Sequence, residues 1–327
     1  MAPLEGALIG FGKAAERSHL PSYGGDFRIL AVVEPDPGRR DAAERLLPGV
    51  PLYPTSRQLW QEKRLDFVDI CTPPSAHCPA ILDALDHGAH VLCEKPLVIR
   101  ARELGAIRSR GSPKVVYCVH NWKFSAPFRR VFALLPEIGE VRRFEWHAER
   151  RSSDPGAGPK DSSWRMDPEL SGGGVLFDHG WHAVYLALSI VGHPPRAVST
   201  DLFGQPPELR VEDRVSLTLH FDDAEARIHL SWSSPRRYNG GTVVGRHRTV
   251  TIEDGALVVD GQRLPFPETL SQHSSHPDWF PPVLADFQAE INDPERRGTN
   301  LEEAALCLRA LEAAAQSGKE GGRIVEL

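Results

Sequence analysis

Three groups of residues in this chain could do chemistry. The first is Gly10-Phe11-Gly12-Lys13-Ala14-Ala15, a G-x-G-x-x-A run directly after the apolar Ala7-Leu8-Ile9. In such a run Gly10 permits a tight turn, Gly12 lets the backbone approach a pyrophosphate, and the small Ala15 allows a helix to pack closely on a strand. A diphosphate would rest on backbone N–H groups there. Glu34 closes the next apolar run, at the roughly 20-residue distance where an acid accepts hydrogen bonds from ribose hydroxyls. An acid there repels a 2′-phosphate and favours NAD over NADP; Arg39 and Arg40 weaken that preference without excluding NADP. Glycines that serve only a turn are the competing explanation. The second group is Asp178 and His182, at i and i+4, which on a helix share one face. A histidine near its ordinary pKa can take an alcohol proton as hydride leaves carbon and return it in reduction, and a nearby carboxylate would orient the ring. His179 points about 100° away around a helix, which makes His182 the better base. The third is Lys95, whose charge would favour a developing alkoxide. On the residues alone, a solvated lysine and a surface Asp–His pair explain the last two groups equally well.

The elements that must position these residues follow from apolar patterning. Ala7-Leu8-Ile9, residues 29–33, 67–71, 90–93 and 114–119 are near-continuous apolar runs, as strands buried on both faces require. Helical spacing lies between them: Ser75 is placed to cap a helix carrying Ile81, Leu82 and Leu85 that stops near Gly88, and Arg100 to Arg110 forms another. The alternation predicts a doubly wound α/β domain over residues 1–120. From residue 121 the period changes to two. Residues 141–149, 215–221 and 226–232 alternate apolar and polar, with hairpin turns at Phe221 to Glu225 and at Glu253 to Ala256. Residues 121–327 are therefore expected to form an α+β domain with an open, mostly antiparallel sheet. Asn300 with Glu303 resembles a capping box opening a helix over 301–317 with Gly318 as its stop, and this helix is expected to pack back near the N-terminal domain. Arg151 to Gly174 is rich in Ser, Gly, Pro and Asp, and a loop of that length is usually functional or disordered.

Composition narrows the function classes. At 327 residues two domains are expected. The net charge of −6, without a long run of one sign, disfavours nucleic-acid binding. No apolar stretch approaches the roughly 18 residues of a membrane span, and the first residues carry no basic and apolar regions of a secretory signal. The five cysteines (Cys71, Cys78, Cys93, Cys118 and Cys307) form no Cys-x-x-Cys pair, which suits reduced thiols and a cytoplasmic location. His179 with His182, and His273 with His276, bring too few ligands for zinc, so no metal is expected.

Cys93-Glu94-Lys95-Pro96, with Thr72-Pro73-Pro74-Ser75-Ala76-His77, the glycine-rich opening, Gly172-Gly173-Gly174 through His182, and the closing Gly321-Gly322-Arg323-Ile324-Val325, resembles the glucose-fructose oxidoreductase / inositol dehydrogenase / rhizopine-catabolism (Gfo/Idh/MocA) family over nearly the whole chain. The resemblance implies a Rossmann domain, a C-terminal domain whose open sheet often makes homodimer or homotetramer contacts, and NAD(P)-dependent hydride transfer at a secondary alcohol or ketone of a sugar, polyol or cyclitol, phosphorylated or not. It implies catalytic roles for Lys95, which points between nicotinamide and substrate, and for Asp178 and His182, which face the same cleft. The cofactor-binding candidates are Gly10, Phe11, Gly12, Ala15, Glu34, Thr72, Pro73, His77, Glu94 and Lys95. For His77 a helix-surface histidine competes. Asn121 lies at the carboxyl edge of the fifth strand, where ligands bind in open α/β sheets. It departs from the arginine- or tyrosine-containing segment common there. Trp164 and Arg165 could stack on and hydrogen-bond a sugar or an anionic group. They join Lys95, Asn121, Asp178 and His182 as substrate-binding candidates, with Arg236 and Arg237 as further arginines. Two alternatives are a redox-neutral NAD-dependent glycosidase or lyase of the same family and a non-catalytic NAD-responsive sensor. The sensor ranks last because Lys95, Asp178 and His182 are all present.

Overall fold

The computed structural model describes residues 2–153, 163–272 and 275–327; His273 and the middle of the Arg151–Gly174 segment lie outside them. The chain divides into two compact units, Met1–Asn121 with Ser275–Ala304, and Trp122–Ser274 with Ala305–Leu327. A single cut near residue 120 does not anticipate the return of Ser275–Ala304 to the first unit.

In the first unit β1 (Leu4–Ile9), β2 (Phe27–Val33), β3 (Leu52–Tyr53), β4 (Phe67–Ile70), β5 (His90–Cys93) and β6 (Val116–Cys118) form one parallel sheet in the order β3-β2-β1-β4-β5-β6. The order reverses between β1 and β4, which opens a crevice at their carboxyl ends. All five apolar runs are strands, and Ala7, Leu8, Phe67, Val68, Val91 and Leu92 are fully buried. Helix Pro37–Leu46 starts as its sequence directs, with proline in the first turn and the Asp36 carboxylate accepting from the Arg39 N–H at 2.8 Å. The segment after the glycine turn is shorter and less regular than a Rossmann helix. A π-turn over Ala15–His19 passes into a 3₁₀ turn over Leu20–Ser22, because Pro21 has no N–H to continue an α-helix. Ser75 is not a cap. The 3₁₀ turn Pro74–Ala76 carries the chain into helix His77–Asp86, so Ser75 sits inside the turn, and Ala76 occupies the cap without a side-chain bond.

The second unit holds β7 (Val141–Glu149), β8 (Ala197–Gly204), β9 (Arg214–His220), β10 (Glu225–Ser231), β11 (Tyr238–Gly245), β12 (Thr249–Glu253), β13 (Ala256–Val259), β14 (Gln262–Pro265) and β15 (Val325–Glu326). They form one sheet in the order β14-β13-β12-β11-β7-β10-β9-β8-β15, antiparallel except for β7 beside β10. Both expected hairpins form. One face buries Phe144, Trp146, Ile228 and Leu230. Helix Gly180–Val191 lies against β7 and β10 there and is apolar nearly all round. The other face is polar: His147 and His229 stack with centroids 4.7 Å apart.

The C-terminal helix runs over Thr299–Lys319, and its expected ends are both wrong. Asn300 is a helical residue whose amide Oδ1 accepts from the Cys118 N–H at 2.6 Å and whose Nδ2 donates to the Cys118 carbonyl at 3.1 Å. Glu303 accepts from or shares a proton with His120 Nδ1 at 2.7 Å rather than closing a cap. Gly318 is not a stop; a Cβ there would meet the Phe203 ring at 2.6 Å, so the glycine serves packing. Asn300 thus supplies the ladder partners that the edge strand β6 lacks. Asn300→Ala is expected to strand a buried N–H and C=O and to cost about 2 kcal/mol or more. Urea unfolding checks this: a midpoint within error of the wild type would show that water replaces the amide.

Candidate active site

The glycine turn is built as its sequence requires. Gly10 has φ of +90°, and a Cβ on it would meet the Cys71 carbonyl carbon and oxygen at 3.0 Å. Only glycine fits between the ends of β1 and β4. A Cβ on Gly12 would find only Arg39 Nη1 at 3.7 Å and Cys71 O at 4.0 Å, so this side of the turn is open. Ala15 is fully buried. Glu34 is buried at the end of β2, and its two oxygens accept from the Phe11 N–H at 2.7 Å and the Asp36 N–H at 2.9 Å. Each carboxylate oxygen keeps further acceptor capacity for a ribose hydroxyl. Arg40 Nη1 is engaged by the Glu34 and Pro35 carbonyls at 2.7 Å each. Thr72 Oγ1 and Asn121 Oδ1, both at the carboxyl edge of the sheet, are buried without a hydrogen-bond partner among the described residues. Buried polar atoms are rarely left so, and two orphans beside an open glycine turn fit a nicotinamide dinucleotide. His77 is placed differently from a ligand. It is buried, and its nitrogens face the Pro96 carbonyl at 2.8 Å and the Thr72 carbonyl at 2.9 Å. Burial outweighs those carbonyls and holds its pKa below the ordinary value, so it braces the loops that carry Pro73 and Lys95.

Glu94 follows β5, and the Lys95–Pro96 peptide is cis. Glu94 Oε2 accepts from the Lys95 N–H at 3.0 Å, and Oε1 lies 2.9 Å from His19 Nε2. His19 Nδ1 in turn lies 2.7 Å from Asp69 Oδ2, which also accepts from the Tyr23 hydroxyl at 2.7 Å. Sequence analysis missed His19, Asp69 and Tyr23: their spacing has no local signature, and only a histidine placed in a buried turn hints at them. Burial depresses the His19 pKa, but Asp69 and Cys71 outweigh it and hold the ring well above its usual value. Burial and Asp69 push the Cys71 thiol up to about 12, so it stays protonated. His19, Asp69 and Cys71 bring ligand-type atoms within 4.8 Å of one another. The 2.7 Å contact between His19 and Asp69 is a hydrogen bond, whereas two ligands of one tetrahedral zinc sit roughly 3.3 Å apart. A shared proton, not an ion, fits that gap.

In the second unit Asp178 and His182 do not share one continuous helix. Asp178 ends the single turn Val175–Asp178, His179 interrupts, and His182 lies in helix Gly180–Val191. His182 is buried, and its Nδ1 is 2.7 Å from the Tyr185 hydroxyl, which accepts from the Trp122 N–H at 3.1 Å. Tyr185, which the sequence did not single out, therefore fixes the ring at Nδ1. Its i+3 spacing from His182 was the available signal. Asp178 Oδ2 lies 3.8 Å from Arg165 Nε and 4.0 Å from His179 Nε2. Arg165 stacks on Trp164 at 4.2 Å, so of this pair the guanidinium is the group that lies near Asp178. Arg236 is occupied by Glu149 at 3.0 Å through both Nε and Nη2 and stacks on Tyr238, and Arg237 donates to the Ser271 carbonyl. Arg150 was missed. It is 3% exposed, and its Nη1 donates only to neutral oxygens: Glu149 O, Tyr238 O and Asn239 Oδ1. Burial, reinforced by Arg237 and opposed by Asp178 and Asp254, lowers its pKa to about 10.

The turn that carries Asp178 depends on Glu212. Its Oε1 accepts from the Gly174 N–H at 2.8 Å and the Leu176 N–H at 3.1 Å, and a Cβ on Gly174 would lie 2.0 Å from the Glu212 carbonyl. Burial pushes the Glu212 carboxyl above its usual range despite those N–H groups. A raised folded pKa stabilises the fold below the unfolded value and loses that contribution as pH rises through the folded one. Glu212→Gln keeps an acceptor and removes the buried charge. It is expected to match or exceed the wild type in urea unfolding at pH 8, with the advantage shrinking toward pH 4. Glu212→Ala is expected to lose about 2 kcal/mol or more at both. A glutamine variant markedly weaker at pH 8 would mean that the charge itself is needed.

Residues 4–109 match the family model described as an oxidoreductase family with an NAD-binding Rossmann fold, and residues 135–258 match the GFO/IDH/MocA C-terminal domain. An uncharacterized oxidoreductase of Schizosaccharomyces pombe is 29% identical over 242 residues, 70% of this chain; the chain spans only 63% of that relative's length. The D-xylose 1-dehydrogenase (NADP(+)) 2 of Haloferax volcanii is 30% identical over 247 residues, 73% of each chain. Among solved structures, the aldose-aldose oxidoreductase of Caulobacter crescentus shares the fold with a TM-score of 0.83 at 24% identity, covering 99% of this chain and 100% of that one. No helix among the described residues is long and apolar enough to cross a membrane. The chain belongs to the Gfo/Idh/MocA family of oxidoreductases and carries that family's NAD-binding Rossmann fold.

Proposed function

We propose that this protein is an NAD-dependent dehydrogenase of a secondary alcohol on a sugar, polyol or cyclitol. The observation that carries the reading is the buried His182, held at Nδ1 by Tyr185 in the Asp178-to-His182 segment. A base so fixed loses little entropy when it takes a proton. NAD would accept the hydride from the carbinol carbon. His182 takes the hydroxyl proton in oxidation and returns it in reduction. Lys95 lowers the cost of negative charge on that oxygen, and Asp178 with Arg165 orients the sugar. Gly10, Gly12, Glu34, Thr72 and Asn121 hold the dinucleotide, Glu34 through the ribose. Copies of the chain meet through the polar face of the nine-stranded sheet.

Arg150 supports a narrower substrate class. No carboxylate among the described residues forms an ion pair with it, and a buried cation gains most from an anionic partner. A sugar bearing a carboxylate or phosphate would provide one.

Nicotinamide absorbance during incubation with neutral sugars, inositols, uronates and sugar phosphates, with NAD and NADP in parallel, tests both statements. NADH formation is expected with at least one group, and His182→Ala should cut kcat/KM by about 10² to 10⁴. Release of a glycosidic group without net NADH would replace the dehydrogenase by the redox-neutral lyase. Arg150→Met is expected to raise KM at least tenfold for acidic sugars and to leave neutral ones unchanged. An equal effect on both would make Arg150 a structural brace.

A further inference from the structure

His19 has no role in the reading above, yet it is a fully buried titratable group of the first unit. It is fully buried, stacks on Phe280 with centroids 3.9 Å apart, and presents each ring nitrogen to a different carboxylate. We propose that His19 is a positioning residue for Lys95: it clamps Glu94 Oε1 from one side while Oε2 holds the Lys95 N–H from the other.

The geometry constrains the protons. Carboxylates only accept, so two contacts of 2.7 and 2.9 Å need two N–H donors on one ring, or a proton on one of the acids. With both nitrogens protonated the ring is an imidazolium between Asp69 and Glu94. The groups that face it are Asp69 and Cys71 at the end of β4, Tyr23 from the loop before β2, and Glu94 with Lys95 after β5. Tyr23 and Cys71 donate to Asp69, at 2.7 and 3.6 Å, so they stabilise the same charge arrangement. Burial disfavours the Glu94 carboxylate, but His19 and Lys95 together hold its pKa below the usual value. Without the imidazolium, Glu94 loses a cation that offsets its burial, and its protonated form is favoured. A protonated Glu94 loses acceptor strength toward the Lys95 N–H, and the lysine is no longer fixed within the tolerance that catalysis needs.

The role in catalysis rests on the dehydrogenase reading, so the experiment has one arm that is independent of turnover. In ¹⁵N spectra of the full chain, His19 is expected to show both nitrogens protonated at pH 8; a neutral ring at pH 7 would overturn the proposal. In reductively ¹³C-methylated protein, assigned with Lys95→Arg, the Lys95 resonance is expected to shift in His19→Asn and to return part of the way in His19→Asn/Asp69→Asn, which removes the opposing like charge. An unmoved Lys95 signal in a folded variant would also overturn it. If a substrate is found, His19→Asn should lower kcat at least tenfold with KM changed less than threefold, and add a pH dependence that Glu94→Gln abolishes in the same background. A kcat within twofold of the wild type with the same pH profile would confine His19 to stability. Should His19→Asn not fold, Asp69→Asn is the variant to read, with a smaller Lys95 shift expected and no shift overturning the clamp. Absence of turnover in the wild type together with the expected NMR shifts would sink the dehydrogenase reading and leave the clamp standing.

Discussion

Everything in the first unit depends on how closely the end of β1 can approach the end of β4. Gly10, with φ of +90°, sits 3.0 Å in Cβ terms from the Cys71 carbonyl, and a side chain there would push the two strand ends apart. The approach has consequences on both sides of the turn. On one side Gly12 keeps room for a Cβ beside Arg39 and Cys71, and Thr72 Oγ1 has no partner among the described residues. On the other it brings the π-turn over Ala15–His19 onto β4, where His19 meets Asp69. The same steric constraint therefore sets the place for a diphosphate and the place for the buried histidine. A regular helix over these residues would direct His19 elsewhere, and Pro21 keeps the chain from resuming one after the π-turn.

The second unit solves a parallel problem with hydrogen bonds rather than strand ends. Asp178 sits on a single helical turn, too short to hold itself by its own ladder. Glu212 ties the beginning of that turn to the chain before β9, and Gly174 allows the contact because it has no side chain. The break at His179 then lets helix Gly180–Val191 bury its whole circumference while Asp178 stays half-buried beside Arg165. Tyr185 sits one turn further on and joins His182 to the Trp122 backbone.

What the sequence made legible follows from the range of the interactions. Parallel strands buried on both faces leave contiguous apolar runs, and alternating strands leave period-two runs; β3 escaped because two residues carry no period. The glycine turn, Glu34 and Lys95 were visible because each stands in a short local pattern: a glycine run after an apolar strand, an acid closing the next strand, and a Glu-Lys-Pro run. His19, Asp69, Tyr185, Glu212 and Arg150 were not, since most of their partners are remote in sequence and each alone reads as an ordinary polar residue. Ser75 and Asn300 went wrong for a related reason. Both match a local cap pattern, but a proline-led 3₁₀ turn took the place of the first, and the unpaired edge of β6 claimed the second. Local propensity gave way where a buried backbone group needed a partner.

The two units also handle buried charge in opposite ways. In the first, His19 lies between two carboxylates and offsets part of their charge, and its contact with Glu94 leads on to the Lys95 backbone. In the second, Glu212 is held by backbone N–H groups and Arg150 by neutral oxygens. Dipoles that are already in place stabilise a charge without cancelling its field. Arg150 is held in this way by Glu149 O, Tyr238 O and Asn239 Oδ1, and burial lowers its pKa to about 10. A network that cancels its charge suits a part whose task is to hold a lysine still. A cation held only by neutral oxygens keeps most of its field, which an ion pair would have cancelled.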